Sequence, residues 1–451
     1  MPEQRGAHAV TARDRETDLA SRMQTAQLTD HVLAATVRDA ADHARAGRRH
    51  LDAIHGEIRD ALADRWTPVW DTPTGVRQFQ LFLAAKAREI RRVLADAAAD
   101  NRLQVALLRS AGAGYGVPAR VRDQLNRQAL AEDIRRVVNA TSAVSAAEIV
   151  RYENALRVRD GLAANCAGTA PALLLTYEPA AFGGRGRAAI AIGDPDVADN
   201  ITILVPGAHS SVRDGYLSHP DGRNVYHEVV GSDPGRSNSV VVWMGYRAPD
   251  SLFDPAVTQP AAARAGGRLL AADIRALTAS HVGASHVTVI GHSYGSTTVA
   301  DAAASAGLCA DDVVLVGSPG TDLARSANDF HLPAGGHVYV GAASSDPITG
   351  FGGQPQLPLP ATSATVGLGA DPAADGYGST RFKAESRGVA WPLSGHSSYF
   401  APQGESLYSI GDIASGHGDA LANHHMTAPH RRRLPAFDPE RLRPGTGGHR
   451  H

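Results

Sequence analysis

From residue 171 onward, short apolar runs rich in β-branched residues alternate with Ala- and Leu-rich stretches, and few folds accept that order. The runs are "ALLLTYEP" and "RAAIAIGDP", joined by the Gly-rich "AAFGGRG", then "NITILVPG" (200–207), "NSVVVWMGYRAP" (238–249) and "HVTVIGHS". "DVVLVGSPG" (312–320), "HVYVGAASSDP" (337–347) and "TRFKAES" (380–386) complete the set. Helix-like stretches at 260–280 and 294–307 separate several of them. Strands this apolar are buried on both faces. The pattern therefore predicts an α/β fold with a mostly parallel, doubly wound sheet.

The chain before about residue 165 has a different texture, with helical periodicity and almost no strand signal. Leu51, Ile54, Ile58 and Leu62 recur at spacings of three and four, on one helix face. "WTPVWDTPTG" (66–75) breaks the pattern, and Phe79, Phe82, Leu83, Ile90, Val93 and Leu94 form a second stripe. "AGAGYGVP" (111–118) ends that run, and further helical patterning covers about 119–162. Three or more packed helices are expected, serving as a structural bundle or as an arm for a protein partner or self-association. The expected organisation is an all-α region at 1–165, an α/β domain at 166–426, and a disordered tail at 427–451. That tail is rich in Arg, Pro and His and has no period.

With 451 residues, 43% of them hydrophobic and 20% charged, the chain is long enough for two domains and is ordinary in globular balance. A formal net charge of −2 provides no field to recruit nucleic acid or an anionic membrane. Cys166 and Cys309 are too few for a disulfide framework, and neither sits in a metal-ligand cluster. No segment approaches the length of a transmembrane helix, and the polar start lacks the apolar core of a signal peptide. A cytoplasmic location is the expectation, with leaderless export left open.

One strand-to-helix junction carries chemistry. "VTVIGHSYGSTTVADAA" (287–303) sets a β-branched run, the pentapeptide Gly291-His292-Ser293-Tyr294-Gly295, and a run of small residues in sequence. A G-x-S-x-G pentapeptide alone is weak, but a nucleophile elbow needs strand, tight turn and helix in that order. The two glycines stand where a side chain would collide with neighbouring backbone. A serine so placed needs a base, and the base needs a carboxylate. Asp346 stands beyond the end of a predicted strand; Asp322 is its rival, with Asp371 and Asp375 also open. His396, in "WPLSGHSSYF", follows the last predicted strand and is the expected base, ahead of His417, His424 and His425. His292 is excluded as base because the elbow turns its side chain from Ser293; packing against neighbouring strands is its expected role. For the oxyanion hole, the backbone N–H of Tyr294 and that of Ala208 are expected, with His209 as the alternative to Ala208.

Through "RAAIAIGDPDVADNITILVPG", "VTVIGHSYGS", "VGAASSDPIT" and "SGHSSYF", in this order, the chain resembles the α/β-hydrolase superfamily. It resembles, more narrowly, an actinobacterial branch of unknown function that carries an N-terminal helical region. The likeness covers about 170–416 and implies a Ser–His–acid hydrolase mapped onto Ser293, His396 and Asp346. The residue after Pro-Gly in "VPGAHSSVRDGY" departs from the usual glycine or polar residue. A carboxylic ester of small-molecule size is the expected substrate, with thioester and amide forms open, and no metal or organic cofactor is required. A non-catalytic interaction protein on a hydrolase scaffold and an exported effector hydrolase are the alternatives. The Gly/Pro-rich loop at 350–379 reads either as a lid over the pocket or as a surface insertion.

Overall fold

The computed structural model describes residues 45–62, 72, 77–94 without 79 and 92, and 116–451 without 167, 169, 252, 253, 354–356, 359–364, 367, 387–393, 434, 435, 444 and 445. The chain divides into two compact units, Met1–Tyr115 and Gly116–His451. In the first, residues 45–60 and 80–91 are helical, with Ile54 buried and Lys86 paired to both Glu57 and Glu89. Leu62, Leu83 and Leu94, expected on apolar stripes, are exposed within this unit. Phe79, most of "WTPVWDTPTG" and residues 111–115 of "AGAGYGVP" lie outside the described residues.

The second unit is built on an eight-stranded sheet. Its strands are β1 (Ala172–Glu178), β2 (Arg187–Ile192), β3 (Asn200–Val205), β4 (Asn238–Met244), β5 (His286–His292), β6 (Asp312–Val316), β7 (Val338–Gly341) and β8 (Thr380–Phe382). They lie in the order β1-β2-β4-β3-β5-β6-β7-β8. β2 is antiparallel to β1 and β4, and the other pairings are parallel. The helices are α1 (Ala119–Val138), α2 (Ala146–Ala164), α3 (Asp221–Ser232), α4 (Ala261–Ser280), α5 (Tyr294–Ala306) and α6 (Glu405–Ala414). The two-residue period of the strands explains why both faces need cover. Val289 and Val313 join the apolar cluster under α4 and α5, whereas their neighbours Ile290 and Val314 join the cluster that holds α3 and α6.

Two expectations are corrected. The boundary falls at 115/116, because α1 and α2 belong to the sheet rather than to a separate helical region. β1 is an edge strand whose outward backbone groups need partners. Asp123 of α1 accepts from Leu174 N–H (2.7 Å), Asn126 donates to the Leu174 carbonyl (2.9 Å), and Arg127 donates to that of Ala172 (2.6 Å). Described residues from 427 onward are also tied to the domain rather than disordered. Asp438 receives the fully buried Arg381 through two 2.9 Å bonds, and Arg443 pairs with the buried Glu405. Burying these charges in pairs gives order to a stretch with no apolar period.

Candidate active site

Sheet order reverses between β3 and β5, so the connections on either side run in opposite directions and leave a crevice at the carboxyl edge. Ser293 stands there, one residue beyond β5, at φ 54° and ψ −129°. A non-glycine residue in that region costs about 1–3 kcal/mol and persists only where its surroundings hold it. Here Ser293 N–H donates to Val316 O (2.9 Å), and the Ser293 carbonyl accepts from the Ser296 hydroxyl (2.6 Å). The flanking glycines are needed for space. A Cβ on Gly295 would lie 2.4 Å from Val205 O, and one on Gly291 would lie 2.6 Å from Ser296 Cα.

Asp346 follows β7 and His396 follows β8, and the fold brings both to Ser293. His396 Nε2 lies 2.9 Å from Ser293 Oγ, and His396 Nδ1 lies 2.9 Å from Asp346 Oδ2. All three residues are buried. Burial pushes the Asp346 carboxyl upward, but bonds from His396, Tyr399 and the Ile348 N–H outweigh it and hold the group below its ordinary range. Asp346 is therefore ionised at neutral pH and accepts at both oxygens. The rival Asp322 does not join this group: it forms a two-bond pair with Arg264 at 2.6 and 3.0 Å.

Tyr399 escaped the sequence reading. Its hydroxyl donates to Asp346 Oδ2 (2.7 Å) and accepts from Ala343 N–H (3.1 Å), locking the acid to the end of β7. Burial, with the adjacent Asp346 charge, pushes this hydroxyl well above the usual tyrosine range, so it stays a donor. Its only signal was an aromatic three residues after His396 in a turn of small residues. His292 is also better resolved. Packing against neighbouring strands was expected of it, but its ring contacts lie on the loop carrying the base, at His396, Tyr399 and Phe400. Its ring stands 4.9 Å from that of His396, and its Nε2 is 2.9 Å from the His396 carbonyl. Burial, then His396, pushes His292 down to about 4, so it is neutral and donates to that carbonyl.

On the opposite side, Gly207 passes so close that a Cβ there would lie 2.5 Å from Ser293 Cβ. His209 is left-handed (φ 64°) and gives its amide to Pro249 O (2.9 Å), which removes it as an oxyanion donor. Of the expected pair, Tyr294 directly follows the serine, and Ala208 directly follows Gly207. The Tyr294 side chain is buried, its hydroxyl donating to the Gln259 carbonyl and accepting from Ala263 N–H. Among the described residues, no group of three or more His, Cys, Asp or Glu side chains is arranged to hold a metal, and no helix is long and apolar enough to cross a membrane. A cavity of about 1210 Å³ opens beside Asp346, Thr349 and Arg431, not over Ser293. Of the 350–379 loop, residues 368–379 are anchored, with Thr321 and Ala370 exchanging backbone bonds; much of 354–367 lies outside the described residues.

An eight-stranded, mostly parallel sheet with a strained serine on its central turn defines the class as an α/β hydrolase. A family profile described as "Alpha/beta hydrolase" matches residues 183–355, and one described as "Domain of unknown function (DUF4226)" matches residues 5–120. The chain belongs to the α/β-hydrolase family, and its relatives include mycobacterial proteins. It is 30% identical over 228 residues to the uncharacterized protein Rv0963c of Mycobacterium tuberculosis, covering 48% of this chain and 83% of that protein. It is 44% identical over 348 residues to the uncharacterized protein Rv2079 of the same organism, covering 69% of this chain and 53% of that one. The chain thus spans about half the length of Rv2079. Among solved structures, a Pyrobaculum calidifontis esterase aligns over 64% of this chain and 98% of its own, at 13% identity and a TM-score of 0.29.

Proposed function

We propose that the chain is a serine hydrolase that cleaves carboxylic esters of small-molecule size through an acyl-enzyme. Ser293 is the nucleophile, His396 the general base and then acid, and Asp346 the orienting carboxylate. The observation that carries this reading is the unbroken pair of 2.9 Å bonds from Asp346 through His396 to Ser293 Oγ. As Ser293 attacks the ester carbonyl, His396 Nε2 takes its proton, and Asp346 stabilises the imidazolium that forms. The oxyanion turns toward the amides of Ala208 and Tyr294, donors whose value comes from being fixed in advance. Collapse of the intermediate expels the alcohol, which takes the proton from His396. Water, deprotonated by the same ring, then releases the acid and restores Ser293.

A series of p-nitrophenyl esters from acetate to octanoate tests the reading. Wild-type protein is expected to turn over the short members. Ser293→Ala and His396→Ala abolish turnover, and Asp346→Asn lowers it by roughly 10⁴-fold. Asp322→Asn, which loosens the pair with Arg264, leaves turnover close to wild type. Damage from Asp322→Asn with Asp346→Asn unaffected would overturn the acid assignment.

A further inference from the structure

The residues that hold Asp346 in place extend beyond the active site, and they end in the C-terminal segment. The peptide carbonyl of Asp346 accepts from the Thr349 hydroxyl at 2.9 Å. That hydroxyl in turn accepts from Arg431 Nη2 at 2.6 Å, and Arg431 Nη1 donates to the Thr349 carbonyl at 2.8 Å. Arg431 Nε donates to Asp438 Oδ2 at 2.8 Å, and Asp438 is fixed by Arg381, which also donates to Ala342 O at the end of β7 (2.7 Å). Thr349, Asp438 and Arg381 are all buried. The loop carrying the acid is thus held at both ends by one charged cluster, whose Arg431 lies 82 positions beyond Thr349 and whose Arg381 lies 39 beyond Ala342.

Resting on the serine-hydrolase reading, we infer that Arg431 is a positioning residue. Through Thr349 it sets the backbone at Asp346, and so the line from Asp346 through His396 to Ser293. A guanidinium is required because one planar group meets a hydroxyl, a carbonyl and a carboxylate together, which an ammonium cannot do. Arg431 touches neither Ser293 nor His396, so its effect is on alignment, and an ångström of misplacement in such a line costs up to about 10²-fold.

The test is the rate constant for covalent labelling of the full chain by a fluorophosphonate, with the labelled fraction and thermal midpoint measured alongside. Arg431→Gln and Arg431→Lys should slow labelling by roughly tenfold to a hundredfold. Thr349→Val, which keeps shape but loses the hydroxyl, should slow it similarly, and Thr349→Ser should restore it. The double variant Thr349→Val with Arg431→Gln should be no slower than the worse single one, because both act through one contact. If Arg431→Gln does not accumulate as folded protein, the Thr349 variants carry the test. A merely structural role would lower the thermal midpoint and the labelled fraction, yet leave the rate constant of the labelling molecules unchanged. That result overturns the inference alone. Wild-type protein that fails to label overturns the hydrolase reading and the inference with it.

Discussion

Asp301, on the helix that follows the serine, is the residue most at odds with its surroundings. It is wholly buried, accepts from Leu323 N–H (3.1 Å), and its second oxygen has no partner among the described residues. Burial, reinforced by the nearby Asp322 charge, raises it to about 8. Between about pH 4 and 8 the unfolded chain loses this proton while the folded chain keeps it, so the site destabilises the fold progressively as pH rises. Asp301→Asn keeps the acceptor and removes the ionisation. Its thermal midpoint should therefore exceed wild type by a margin that widens from pH 4.5 to pH 8 (about the span separating the two ionisations). A constant margin across that range would contradict the assignment. At this scale the sequence was informative where chemistry demands one residue type in one place: Ser293, Asp346 and His396 stand in the order the elbow calls for. Tyr399, Thr349 and Arg431 were not readable, because their roles are contacts made across 53 to 82 residues by side chains that also suit ordinary turns.

Among the elements, the helices before β1 deserve a different reading from the one their periodicity suggests. A 3.6-residue stripe says that a helix has a buried face; it does not say which layer covers it. In α1, Asp123, Asn126 and Arg127 turn toward β1 and satisfy its edge, so the helix does for this sheet what a ninth strand would otherwise do. In α2, Ala155, Val158 and Leu162 join the same apolar cluster as Leu174 and Ile190. A chain beginning at Gly116 should therefore be soluble and fold, whereas one beginning at residue 166 should lose the edge cover and aggregate. Size-exclusion chromatography and thermal melts of the two truncations check this. A soluble, equally stable 166–451 chain would restore the boundary expected from the sequence. The strands were easier to read than the helices' allegiance. Runs such as "VTVI" and "DVVLV" allow little except a doubly covered sheet position.

For the molecule as a whole, the sheet order, the elbow and the two later loops converge on one carboxyl edge. The C-terminal segment closes back onto the acid loop instead of trailing away. Composition hid that return, since the ordering forces there are charge pairs such as Arg381–Asp438 and Arg443–Glu405 rather than an apolar pattern. The central claim is that this convergence makes Ser293 a working nucleophile. Intact mass and peptide mapping after exposure to a fluorophosphonate test it most directly. One adduct per chain is expected, on the peptide containing Ser293, and none in a folded Ser293→Ala variant. Folded wild-type protein that takes up no adduct, or an adduct that persists in Ser293→Ala, would contradict the account.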